Sequence, residues 1–505
     1  MNVDQKHIVI AGAGTSGLTT AIILKKTFPL YNVTVCFSDK YPIIGVGEGS
    51  TEHWRWFQDY VGIDVDDMVR FAGITHKYGI MFEGWNSHTP RYVHSIAGSG
   101  LTKDNFCATY SYLLENNLLL TNSLSWKGMI EDKIIDALKP EEEGSEESDK
   151  THYGTNQYHF DTFMLNKYLK SFANSIGIKF VEGEILSVNQ DSNGYITSLD
   201  VEGFKSKISG DFFIDATGFA RVLHGKMKNI EFQSFSEYLP CDRALVFQTE
   251  KDIFNKIHPY TRAISMNAGW MWEIPTQDRR GNGYVFASSY ITEEEAIREA
   301  EEFHGIEIDN PRFISFKPGY YKQPWQKNCL AIGLSYSFIE PLEATTISIG
   351  LQQAKLLCSY LPNFDKNTKH SLSEYNRIIN KVMDNALNMI CLHYISDRDD
   401  TPMWSDQKLK SKPQMLERLL NIWSERPPEH HDIESNGYEL FQIGHFWHVA
   451  QGQGVLDRDS ASRALNAHLS RKEVVNNLNG LYSQLINLKM IDHGEAIERT
   501  KNRNS

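Results

Sequence analysis

The chain has 505 residues, 41% of them hydrophobic and 12% aromatic, with a formal net charge of −13 at pH 7. That length exceeds one simple core and predicts two or three lobes. The acidic balance argues against nucleic acid and anionic membranes as partners, and no apolar run is long enough to cross a bilayer. The N-terminus MNVDQKHIVIAG lacks a basic n-region, so no signal peptide is expected. The six cysteines (Cys36, Cys107, Cys241, Cys329, Cys358 and Cys391) never fall in C-x-x-C spacing. They predict reduced thiols, a cytoplasmic setting and no metal site.

Residues 8–24, IVIAGAGTSGLTTAIIL, read as strand, tight turn and helix. Gly12, Gly14 and Gly17 form a G-x-G-x-x-G pattern. The first glycine allows the turn, the second lets a pyrophosphate approach the backbone, and the third lets helix pack on strand. The helix start then offers free N–H groups to phosphate. The same spacing also occurs in glycine turns that bind nothing. The next strand, Tyr31–Phe37, leads to Ser38 and Asp39, the candidates for a ribose hydroxyl, with Asp39 preferred. Residues 42–51, PIIGVGEGST, suit a loop passing close to a ligand, with Gly47 and Gly49 at the approach.

Residues 74–85 read as one strand carrying Lys77, by itself an ordinary solvated edge lysine. The acidic run 141–149 reads as a solvated surface loop. Residues 158–176 predict a helix, and Ser192-Asn193-Gly194 a hairpin turn between Ile185–Gln190 and Tyr195–Val201. GDFFIDATGFAR, residues 210–221, returns the chain to the first nucleotide-binding unit through Asp215. Pro341 precedes a helix starting near Thr345 or Thr346. Beyond Leu372 the pattern is mostly helical. The expected fold is α/β: a Rossmann-like FAD-binding module over residues 1–360 with β-rich insertions, and a helical subdomain over 361–505.

Three motifs recur together: GVGE at 45–48, Trp270-Met271-Trp272-Glu273-Ile274-Pro275, and PLE-x-T at 341–345. LPCDRA at 239–244, GNGYVF at 281–286 and RDDTPMW at 398–404 accompany them. The combination resembles the flavin-dependent halogenases of the tryptophan halogenase family over most of the chain. The resemblance implies a flavin-monooxygenase-like FAD module with a helical pyramid over the substrate. It also implies a separate flavin reductase, a halide ion and a small aromatic substrate, indole- or phenol-like. In that family a flavin hydroperoxide is attacked by halide, and hypohalous acid travels through a tunnel to the substrate. Lys77 resembles the lysine that receives it, and Glu343 the assisting glutamate. Thr345 and Thr346 match the halide segment. Ala13, Thr15, Ser16, Ile185, Gly333, Leu334 and Ile347 match FAD contacts. His94, Ile96, Trp270, Trp272, Phe446 and Trp447 match the substrate pocket and tunnel. Two aromatics two residues apart on a strand would otherwise read as core packing.

The residue types suit this chemistry. Hypohalous acid is small and unselective, so catalysis must be positional. An ammonium can polarise the oxygen–halogen bond, a carboxylate can take the ring proton, and helix-start N–H groups suit an anion. Departures are specific. Phe37 aligns with the family's ribose-binding glutamate, Ala344 with a serine, Thr346 with a glycine, and Ile96 with a phenylalanine. They predict weak, exchangeable FAD and a preference for bromide or iodide over chloride. Free tryptophan is not assumed as substrate, and a homo-oligomer is compatible with the sequence. Two alternatives share the glycine motif: a flavin-dependent aromatic hydroxylase, and a non-catalytic binding protein on the same fold.

Overall fold

The structure is a computed structural model that describes residues 5–41, 43, 45, 47–95, 111–114, 131–135, 155, 157–250, 256–365, 368–467, 472–476 and 489–502. Ile96, Cys107 and the acidic run 141–149 lie outside the described residues. At its centre is a six-stranded sheet in the order Trp325–Gln326, Cys329–Ala331, Phe212–Asp215, His7–Ala11, Asn32–Phe37, Lys179–Glu182. All its pairings are parallel except that of the Trp325–Gln326 edge. The first strand buries Ile8, Val9, Ile10 and Ala11 completely, as expected of a strand covered on both faces. The expected α/β, Rossmann-like architecture is what forms.

The glycine pattern works as its spacing requires. Gly12 has φ +107°, and a Cβ there would lie 2.3 Å from the Ala216 carbonyl oxygen. Gly17 sits on the Thr15–Thr27 helix, where a Cβ would come within 2.1 Å of the Gly12 carbonyl oxygen. The helix can therefore lie against the turn only because both side chains are hydrogen. The Asp215 strand end then packs alongside, in register with Ala11.

A second, seven-stranded sheet runs Arg312–Ser315, Arg243–Glu250, Arg279–Phe286, Gly269–Pro275, Thr261–Met266, Gly79–Glu83, Arg91–Ser95. It is antiparallel apart from the pairing of Thr261–Met266 with Gly79–Glu83. A small antiparallel sheet, Glu48–Gly49, Tyr158–Phe160, Thr75–His76, lies between the two halves of the functional chemistry described below. Two expectations are corrected here. Residues 74–85 form two strands, Thr75–His76 and Gly79–Glu83, with Lys77 between them. Residues 158–176 begin as the strand Tyr158–Phe160, and the helix starts at Thr162 because Asp161 caps it, accepting from the Phe163 and Met164 N–H groups. The apolar residues Tyr158 and Phe160 fit either periodicity, so the cap is what decides.

The C-terminal part includes the helices Lys369–His393 and Ile443–Gly452. Among the described residues no helix is long and apolar enough to cross a membrane. The five described cysteines are free thiols. Gly17→Ala is expected to destabilise the fold by about 1–3 kcal/mol, because the close atom is backbone and cannot step aside. A lowered melting temperature in thermal unfolding checks this; an unchanged one contradicts it.

Candidate active site

Lys77 is set by backbone geometry before its side chain acts. Its N–H donates to Gln157 O at 2.9 Å, and Thr155 Oγ1 donates to its carbonyl at 2.5 Å. On the other side of the central strand, Ser50 N–H donates to Tyr158 O, and Tyr158 N–H donates to Ser50 Oγ, both at 2.9 Å. This places the Ser50 carbonyl where Lys77 Nζ donates to it at 3.0 Å. Lys77 is fully buried, not a solvated edge residue. Burial pulls its pKa down to about 8, against the opposing pull of Glu343 and Glu52.

Glu343 is also buried and belongs to a short turn, Pro341–Glu343. Its Oε1 and Oε2 both lie 2.8 Å from His94 Nδ1, and Oε1 lies 2.7 Å from His393 Nε2. Burial alone would raise its pKa; His94 and His393 override that and hold the carboxyl well below its ordinary range. A carboxylate only accepts, so His393 Nε2 and His94 Nδ1 must donate. His393 Nδ1 then accepts from Tyr92 OH at 2.9 Å, and the Tyr92 oxygen accepts from Gln453 Nε2 at 3.0 Å.

Immediately after Glu343, Ala344 sits in the left-handed region at φ +54° and caps the Thr345–Tyr360 helix without a side-chain hydrogen bond. A left-handed alanine costs on the order of 1 kcal/mol. Thr345 is buried with its hydroxyl unpaired among the described residues, and Thr346 faces a cavity.

That cavity, about 160 Å³, is mostly apolar. Its wall includes Trp270, Trp272, Ile274, Val285, Phe316 and Phe338, and Lys77, Glu48, Gly47, Gly49, Ala344 and Thr346 also line it. Trp270 Nε1 donates to Glu340 at 2.9 Å. Trp272 lies flat on Gly283, where a Cβ would sit 2.1 Å from the indole. A second cavity, about 570 Å³, is lined by Gly12, Ala13, Gly14, Thr15, Ser16, Ser38, Asp39 and Ile185. Glu48, Phe219, Leu334, Thr346 and Ile347 line both, so the cavities adjoin. Burial lifts the Glu48 carboxyl to about 7.

The larger cavity fits a dinucleotide. A Cβ on Gly14 would meet nothing within 4 Å, so this backbone faces open space. Gly14 gives the Thr15–Thr27 helix no side-chain cap, which leaves its first N–H groups for phosphate. Four sequence candidates fall elsewhere. Asp215 does not line either cavity: its carboxylate accepts from Thr217 N–H and Oγ1, Ser335 Oγ, and the Leu223 and His224 N–H groups. It shapes the loop rather than facing a ligand. Gly333 packs on Ser16, where a Cβ would be 2.4 Å from the hydroxyl. Phe446 and Trp447 are fully buried. Phe446 meets Trp423 edge-on and Trp447 Nε1 donates to Pro428 O, so neither lines these cavities.

Other residues were missed from sequence. Lining the larger cavity, Lys170 places its ammonium 3.6 Å from the Phe37 ring centroid, and Asn166 donates to Ala13 O at 2.7 Å. Near Glu343 the missed groups are His393, His445 and Glu52. His445 and His448 are spaced i, i+3 within the helix Ile443–Gly452, a signal readable in the sequence.

The fold agrees with solved halogenases over nearly its full length. Xcc4156, a flavin-dependent halogenase from Xanthomonas campestris, aligns over 98% of both chains with a TM-score of 0.82 and 26% identity. This defines a flavin-dependent halogenase, a class that uses FAD. The tryptophan halogenase profile matches residues 7–468. Tryptophan 6-halogenase SttH of Streptomyces toxytricini is 31% identical over 455 residues, 85% of this chain and 86% of that protein. 7-Chloro-L-tryptophan 6-halogenase KtzR of Kutzneria sp. (strain 744) is 31% identical over 482 residues, 91% of this chain and 92% of that one. The chain belongs to the tryptophan halogenase family.

Two measurements follow from this geometry. Lys77 titrates near 8 when folded and at its ordinary 10.5 when unfolded. The unfolded state therefore binds more protons between those values, and stability rises with pH across that window. Lys77→Met should abolish that slope and stabilise the protein at pH 7 by about 1–3 kcal/mol, seen in denaturant titrations at pH 7 and 10. Lys170→Met should weaken FAD binding about three- to tenfold in a fluorescence titration, since one charge-assisted contact is worth on the order of 1 kcal/mol.

Proposed function

We propose that the protein halogenates a small aromatic molecule, indole- or phenol-like, with Lys77 and Glu343 as its catalytic pair. FAD, reduced by a separate reductase, supplies with oxygen the oxidising equivalent that turns halide into hypohalous acid. The observation that carries the reading is a buried lysine at the boundary between an apolar cavity and a buried carboxylate. As an ammonium below about pH 8, Lys77 can donate a hydrogen bond to the hypohalous oxygen and polarise the oxygen–halogen bond. Glu343, ionised between two histidines, can stabilise the cationic ring and accept its proton.

The wall of Trp270 and Trp272 would keep the ring away from the flavin and disfavour hydroxylation, the competing reading. The residues after 360 are proposed as the helical subdomain that covers the substrate, with 1–360 as the FAD-binding core. The N–H groups at the start of the Thr345–Tyr360 helix are proposed to hold the halide, and Ser38 and Asp39 the ribose. A cytoplasmic setting and loosely held FAD suit a protein that receives reduced flavin from a partner.

Lys77→Ala should lower halogenated product about 100-fold or more, because positioning and acid assistance are lost together. Hypohalous acid captured by a β-diketone trap should persist in this variant. Lys77→Arg should rescue poorly, and Glu343→Gln should leave a smaller defect. Parent-level product from Lys77→Ala would remove this assignment; loss of trapped hypohalous acid would favour the hydroxylase. Thr346 adds a side chain where relatives of this type carry glycine, and the larger halides are easier to oxidise. With chloride, bromide and iodide at equal concentration, brominated or iodinated product should predominate; dominant chlorination would refute this.

A further inference from the structure

Glu343 heads two hydrogen-bonded branches. The first runs through His393 to Tyr92 and Gln453, all buried, and closes where Gln453 Nε2 donates to His393 O at 2.6 Å. The second runs outward. His94 Nε2 lies 2.9 Å from His445 Nδ1, and His445 Nε2 lies 3.5 Å from Glu52 Oε1. Side-chain exposure rises along it, from 1% at Glu343 and His94 to 19% at His445 and 35% at Glu52.

The contact between His94 Nε2 and His445 Nδ1 holds one proton. The two rings therefore cannot both be imidazolium. One positive charge has two places to sit: on His94, directly against Glu343, or on His445, against Glu52. The placement matters because a cation in direct contact makes a carboxylate a much poorer base than one a ring further away.

We propose that Glu52 and His445 are positioning residues for halogenation: Glu52 keeps the shared charge on His445, which holds His94 neutral as an Nδ1–H donor and preserves Glu343 as a base for the ring proton. His445 then donates from Nδ1 to His94 and turns its Nε2–H toward Glu52, 3.5 Å away. The surrounding groups agree. Burial opposes the charge on His445, yet Glu52, then Glu343, carries its pKa above the ordinary value. Burial also opposes ionisation of Glu52, but the His445 hydrogen bond overrides it and leaves the carboxyl at about 2. The other rings near this charge stay neutral. Burial lowers His53, whose Nδ1 lies 2.9 Å from Thr51 Oγ1, and lowers His448 to about 3. Phe441 packs edge-on against His445 and brings no charge.

This inference rests on the halogenase reading only for its kinetic arm. In the first arm, histidine-selective 15N labelling of the full-length protein at pH 7, assigned with His445→Gln, should show His445 protonated on both nitrogens. His94 should be protonated on Nδ1 alone. In Glu52→Gln, His445 should lose its imidazolium signature. An imidazolium on His94, or a neutral His445, in the parent protein overturns the proposal without reference to any substrate. In the second arm, bromination of indole is followed from pH 6 to pH 9 for the parent and for Glu52→Gln. The variant should be about tenfold slower at pH 6, with the shared charge moved next to Glu343, and the gap should narrow as the pH rises. Glu52 also supports the Lys77 ammonium, so the Lys77 transition is measured in each protein and divided out before the ratio is taken. A ratio constant across pH would mean a structural role only and would also overturn the proposal. Failure of the parent to brominate indole would count against the substrate reading and leave the decision on Glu52 and His445 to the NMR arm.

Discussion

Two charged side chains kept out of water organise this molecule. An ammonium and a carboxylate in a protein interior each carry a desolvation cost of several kcal/mol unless other groups compensate. Lys77 donates to a backbone carbonyl, that of Ser50, and Glu343 and Glu52 favour its charge. Glu343 is compensated by two imidazoles. The difference shows in their titration: the lysine is pulled toward neutrality, and the carboxylate is held firmly ionised. The pair is therefore asymmetric in its titration.

The small sheet of Glu48–Gly49, Tyr158–Phe160 and Thr75–His76 is what makes the lysine's burial tolerable. Its ladder fixes both the Lys77 backbone and the Ser50 carbonyl, so the ammonium meets a preorganised acceptor. The same segment serves other purposes nearby. Glu48 reaches both cavities, and Glu52 pairs with His445. A Cβ on Gly49 would crowd Lys77 Nζ at 3.1 Å. The segment Glu48–Glu52 thus reaches the larger cavity, the lysine and the histidine branch.

The apolar cavity is walled by tryptophan, phenylalanine and aliphatic side chains. Trp272 is pressed on Gly283, and Trp270 is tethered to Glu340, which Tyr394 OH also reaches at 2.6 Å. Burial and these donors leave the Glu340 carboxyl at about 7. Trp270 is thus positioned by a hydrogen bond behind it, and Trp272 by packing on Gly283.

The sequence by itself determined the parts whose physics is local. Three glycines at fixed spacing dictate a turn that only hydrogen side chains can occupy, and that turn formed as read. The start of the Thr345–Tyr360 helix after Pro341 was legible for the same reason, and so was the hairpin joining Ile185–Gln190 to Ile196–Val201. The motifs also identified the family, because they cluster residues whose types are specific in combination. Only the tertiary structure decided what surrounds each charge. Lys77 looks like a surface residue because its acceptor lies 27 residues earlier and the strand between them comes from residues 158–160. The partners of Glu343 are 249 and 50 residues away, and His445 is 351 residues from His94. Phe446 and Trp447 read as pocket residues and are core, while their neighbour His445 faces the site. No local periodicity encodes such choices: burial, and the protonation that follows from it, depend on which distant segments arrive to replace water.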